Sequence, residues 1–197
     1  MSRARPILLL LVIALLVIPG TAAPAQANWA GATGDTGCGD LNKADNRDHT
    51  YYESSLSTAF NGPATYGLNY VDSVAYVSTT SVSAPTGTTD QVIYDNAYTS
   101  YCNRPWWRPG SGGTIGNTRC VSDNSANECE KHEVRLSTSW GNSSSATLSK
   151  RRSLVIHETG HALGLSHRSV SGEVMQPSIT SILTFTSHDI DHFASLS

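Results

Sequence analysis

The chain has 197 residues, 39% of them hydrophobic, with 13 Lys+Arg set against 16 Asp+Glu. That length suits one domain able to bury its own core. The mild acidity leaves no basic surface for nucleic acid or anionic lipid.

The N-terminus reads as a processing signal. Arg3 and Arg5 precede an apolar run of 12 residues, Ile7 to Ile18, which Pro19 and Gly20 break. Ala25-Gln26-Ala27 then places small residues where a signal peptidase reads them. The run falls short of the ~20 apolar residues a membrane span needs. Residues 1–27 are therefore expected to be a secretory signal, with one domain over residues 28–197. Cleavage removes two arginines and no acid, leaving 11 basic against 16 acidic residues, a net charge of −5. All four cysteines follow the cleavage point, as expected of an exported chain with two disulfides. Four cysteines allow three pairings, of which Cys120–Cys129 and Cys38–Cys102 are favoured, and the spacings fit no cysteine-based zinc site.

Asn28 to Asn46 is rich in Gly, Ala, Asp and Asn and reads as coil. Tyr51 to Phe60 is expected as an early helix and Leu68 to Val77 as a strand. After a Ser/Thr/Pro/Gly loop from Ser81 to Thr89, Gln91 to Tyr98 alternates as a strand should. Asn103 to Gly113 is a loop carrying Trp106 and Trp107, which either line a cleft or pin the loop by burial. Thr114 to Val121 and Glu133 to Trp140 are further strands, the second with apolar residues at alternate positions. A helix is expected from Ser149 to Leu163, ended by Gly164, and a short terminal helix from Ser187 to Leu196 with Ser187 as its cap.

The chemistry concentrates in His157-Glu158-Thr159-Gly160-His161-Ala162-Leu163-Gly164-Leu165-Ser166-His167. Two histidines four apart on a helix advance ~6 Å and return to one face, so both imidazoles reach one metal ion. Glu158 lies beside the first of them, placed to act as a base without ligating. Gly164 tolerates a left-handed turn, which lets His167 swing back as a third ligand. Three imidazoles leave a fourth position open, the arrangement of a catalytic zinc rather than a structural one. The expected site is one Zn2+ on His157, His161 and His167, with Glu158 moving the proton in peptide-bond hydrolysis. His188 and His192 are also four apart; they suit either a second metal, with Asp189 or Asp191 contributing, or a capped helix packing through Ile190 and Phe193, and the second reading is favoured.

This motif resembles the extended zinc-binding motif of the metzincins. Met175, eight residues after His167, is similar in spacing to the matrixin Met-turn, and Pro177 and Asp189-Ile190-Asp191 also resemble that family. The resemblance implies an α+β zincin fold: a twisted mixed sheet of about five strands, a long active-site helix among two long helices, and a small C-terminal part ending in a helix. It further implies a monomeric secreted endopeptidase whose protein or peptide substrates lie antiparallel to an edge strand, for which Thr114 to Val121 is the candidate. Pro177 to Ile182 would wall the main specificity pocket, with Ser178 and Ile179 admitting an apolar side chain after the scissile bond. Gln176 stands where matrixins carry Tyr, and no residues for calcium or a second, structural zinc are assignable. The alternatives are a zinc-loaded binding protein on the same scaffold and a hydrolase of non-peptide amides.

Overall fold

The computed structural model describes residues 41–196. The signal segment and the Cys38 side of the expected Cys38–Cys102 bridge lie outside that range. Among the described residues no helix is long and apolar enough to cross a membrane.

The first strand, β1 (Asp48–Glu53), takes the start of the segment from Tyr51 to Phe60 expected to be helical, and the rest of that segment is turn and coil. Its Thr and Tyr residues favour a pleated, half-buried surface, and it pairs in parallel with strands on both sides. The first helix, α1 (Asn61–Asp72), comes later and covers part of the segment expected to be a strand. Its buried Ala64, Gly67, Leu68 and Val71 fall at helical spacing. In the sequence this stripe is masked by neighbouring tyrosines and β-branched residues. The strand expected there is instead the short β2 (Ser78–Ser81).

The remaining strands fall closer to expectation. β3 (Gln91–Asn96) is followed by a small hairpin, β4 (Ser100–Tyr101) with β5 (Arg104–Pro105). Then come β6 (Gly116–Asp123) and β7 (Cys129–Ser137). The sheet order is β2-β1-β3-β7-β6, parallel except for the β6–β7 pair. Cys120 and Cys129 form the expected disulfide within that pair, with Cα atoms 5.7 Å apart. β7 stops at Ser137, short of the expected Trp140. The Ser137 hydroxyl accepts from Trp140 N at 3.3 Å and caps a single helical turn, α2 (Thr138–Gly141), which buries Trp140.

The long helix α3 (Leu148–Ala162) begins at Thr147, whose hydroxyl accepts from Lys150 N. It is buried from Ser153 onward, lying between the sheet and the C-terminal segment. One apolar cluster joins α1, α3 and the inner sheet face through Phe60, Leu68, Ile93, Leu136 and Leu154. A second joins α3 to the C-terminal segment through Ile156, Leu163, Met175, Phe185 and Phe193. The terminal helix α4 (Ser187–Phe193) is capped by Thr186 rather than Ser187, in a capping box with Asp189. Arg47, just before β1, donates to the carbonyls of Leu196 at 2.6 Å and Ala194 at 3.0 Å, holding the end of the chain. The result is an α+β domain with a mixed five-stranded sheet, two long helices and a small C-terminal part, as expected.

Candidate active site

The site is built where α3 ends. Gly164 has φ +100°, and its N–H donates to His161 O while Leu165 N donates to Gly160 O, both at 2.9 Å. This pair of bonds is a Schellman turn with Gly164 in its left-handed position. The turn reverses the chain within three residues and returns His167 to the histidines of the helix. The Nε2 atoms of His157, His161 and His167 stand 3.1 Å from one another.

Tautomers decide what this triangle means. His157 Nδ1 donates to Val174 O at 2.8 Å, and His161 Nδ1 donates to Leu165 O at 2.6 Å. Both rings therefore carry their proton on Nδ1, and both Nε2 atoms present bare lone pairs. Two lone pairs at 3.1 Å repel unless a cation lies between them. Nitrogens around a tetrahedral zinc, at Zn–N of about 2.0–2.1 Å, stand ~3.3 Å apart, so the donor set fits that ion. Burial supports the same state: it pushes His157 down to about 4 and His161 well below the ordinary imidazole range, keeping both neutral. Among the described residues the other three-residue grouping of potential ligands, Cys120, Cys129 and His132, has its two sulfurs joined in the disulfide.

Glu158 is 4% exposed and faces the edge strand. Thr118 Oγ1 lies 2.7 Å from Glu158 Oε2 and 2.9 Å from the Glu158 carbonyl. Its single proton is shared between the two acceptors, and it pins the carboxylate to β6. Gly116 supplies the room. A Cβ there would run into Glu158 Oε1 and lie 2.9 Å from Cδ and from a Leu154 methyl. Sequence reasoning missed both residues. Gly116 carried a signal, since a lone glycine in a strand marks a close approach; Thr118 carried none.

Met175 is fully buried beneath the helix. A Cβ on Gly160 would lie 2.6 Å from Met175 Sδ and 3.0 Å from Phe185 Cε1, so the motif glycine is what lets the methionine seat there. The other face of α3 is tied to the sheet by a buried polar relay. His49 Nε2 donates to Gln91 Oε1 at 2.9 Å, and Gln91 Nε2 donates to Thr159 Oγ1 at 3.2 Å.

A cleft of about 790 Å³ opens over these groups. One wall is Thr114 to Thr118, and the opposite wall is Gln176 to Ile179, with Trp140 and Leu154 between them. The two tryptophans of the 103–113 loop divide their roles: Trp106 is 1% exposed in the core, whereas Trp107 lines the cleft. Among the described residues β6 pairs only with β7 and so forms the sheet edge on this side, although Trp107 N donates to Thr114 O just before it. His188 and His192 are not part of this site; they meet each other on α4.

Residues 102–196 match the family model of the matrixins. No curated protein matches the chain.

Proposed function

We propose, from the match of residues 102–196 to the matrixin model and from the histidine cluster, that this chain is a matrixin-like zinc metalloprotease, a secreted endopeptidase in which Glu158 moves the proton. His157, His161 and His167 would hold the zinc ion. The observation that carries the reading is the convergence of their Nε2 atoms, two of them bared by Nδ1 bonds to carbonyls. When bound, zinc supplies Lewis-acid charge that acidifies water and polarises a peptide carbonyl.

The chain's own residues do the rest. Thr118 donates to Oε2 of Glu158, and Gly116 makes room for Oε1. Glu158 takes the proton of the attacking water and returns it to the departing amine nitrogen, so no covalent enzyme intermediate forms. A substrate running antiparallel to β6 would add main-chain hydrogen bonds at the sheet edge. Its side chain after the scissile bond would enter between Leu154, Trp140 and Ile179, a wall that favours apolar groups. Secretion is supported by Arg3, Arg5, the apolar run and Ala25-Gln26-Ala27, with residues 28–197 as a monomeric catalytic domain.

Glu158→Gln tests the mechanism. The variant should keep its zinc stoichiometry and lose at least ~100-fold in kcat/KM on a casein-like substrate. Normal cleavage by the variant would overturn the role given to Glu158. A zinc-loaded wild type inactive on every unfolded protein and peptide library would favour a binding protein on this scaffold.

A further inference from the structure

The terminal helix α4 carries a second pair of histidines four residues apart, outside the catalytic cleft. His188 Nε2 and His192 Nε2 are 3.1 Å apart, with ring centroids at 4.6 Å and ring planes at 88°. The pair on α3, His157 and His161, shows 3.1 Å, 4.6 Å and 87°. Two pairs of imidazoles at the same helical spacing have thus adopted one geometry, with both Nε2 atoms aimed at a common point.

From this match we infer that His188 and His192 form a second metal site, separate from the catalytic one and reached by solvent on the His188 side, for a divalent transition ion of the zinc, nickel or copper class. Imidazole nitrogens suit these ions, and hard oxygen-seeking ions such as calcium do not fit the donor set. Among the described residues no third histidine, cysteine or carboxylate joins the pair closely enough to complete a set of three. Water completes the coordination, so the ion exchanges more readily than one held by three imidazoles. The surroundings favour a cation on balance. Asp189 and Asp191 lie on the same helix, and Arg168, the cation that acts on His192, is engaged by Glu173 at 2.8 Å. Burial and the neighbouring His188 hold His192 below the ordinary imidazole range, so it is a neutral ligand at pH 7.

The site has a structural consequence. Phe193, next to His192, packs against Phe185 with centroids at 5.2 Å, and Phe185 reaches Gly160 beside Met175. An ion bridging His188 and His192 would stiffen the short helix that backs the floor of the active site.

Equilibrium dialysis of the purified protein against Zn2+ should give two equivalents for the wild type and one for His188→Ala and for His188→Ala/His192→Ala. Added Ni2+, at ~100 times its Kd, should raise the Tm of the wild type by roughly 5–10 °C through this site and leave that of His188→Ala unmoved. His188 is only partly buried, so its variant should fold, and retained proteolysis would show that it has. One equivalent in the wild type would overturn the site and leave the pair as a plain imidazole–imidazole hydrogen bond. Two equivalents persisting in His188→Ala would equally overturn it, by placing the second ion elsewhere.

Discussion

Glu158 illustrates how much one carboxylate depends on what is missing beside it. The space it occupies exists because residue 116 has no side chain. Gly116→Ala should displace the carboxylate from its bond with Thr118 and lower kcat/KM by roughly 10–100-fold, since misplacement by ~1 Å costs about that much. Zinc content should stay at the wild-type value, because the atoms nearest to that Cβ position belong to Glu158 and Leu154. Metal analysis beside steady-state kinetics separates the two effects, and unchanged kinetics would mean that Glu158 tolerates displacement. At the same scale, Gly164 sets the place of His167. Its φ of +100° is available to glycine and costly to any residue with a Cβ, so the return of His167 rests on a backbone torsion.

At the scale of elements, α3 is held from below as well as along its length. Met175 and Phe185 press on it at Gly160, and α4 presses on Phe185 through Phe193. Gly160→Ala would force the methionine sulfur, 2.6 Å from the new Cβ, out of its seat. Overpacking of this kind costs ~1–3 kcal/mol. A urea midpoint lowered without a change in m-value is the expected result, and a midpoint equal to wild type would show that the C-terminal segment yields freely. α4 is short and relies on its cap. Thr186 and Asp189 satisfy each other's backbone N–H groups at 3.2 Å and 3.0 Å, so Thr186→Ala should cost ~1 kcal/mol in the same assay.

At the scale of the whole molecule, buried histidines link stability to pH. His132 is fully buried in β7, and burial, with His49 close by, pushes it down to about 3. In the unfolded chain it titrates near 6.5. Between those values the unfolded state binds the extra proton, so stability is present above about 6.5 and is lost as pH falls toward 3. His132 alone should cost ~2 kcal/mol between pH 6.5 and 5. His49 is lowered for the same leading reason, burial, and adds to the loss. His132→Gln should flatten the dependence of the urea midpoint on pH by one proton relative to wild type. Parallel curves for the two proteins would show that His132 does not carry this linkage.

The convergence of the three histidines was legible in the sequence because its logic is local. His157, Glu158 and His161 need only helical spacing, and Gly164 needs only a turn, so eleven consecutive residues specify the cluster. The Cys120–Cys129 bridge was legible for a similar reason: the two residues are nine apart on neighbouring strands. The early elements were not, because Tyr51 and Leu68 sit in segments without a clean period; partners far along the chain settle them. β1 is a strand because β2 and β3 flank it, and α1 is a helix because its Gly67 face meets Val155 of α3. Likewise the sequence determined that Glu158 would stand next to the first histidine of the cluster, whereas only the tertiary structure decided which way it faces. Thr118 and Gly116 lie some forty residues earlier, and a hydrogen bond and a vacated Cβ across that distance leave no periodic trace along the chain.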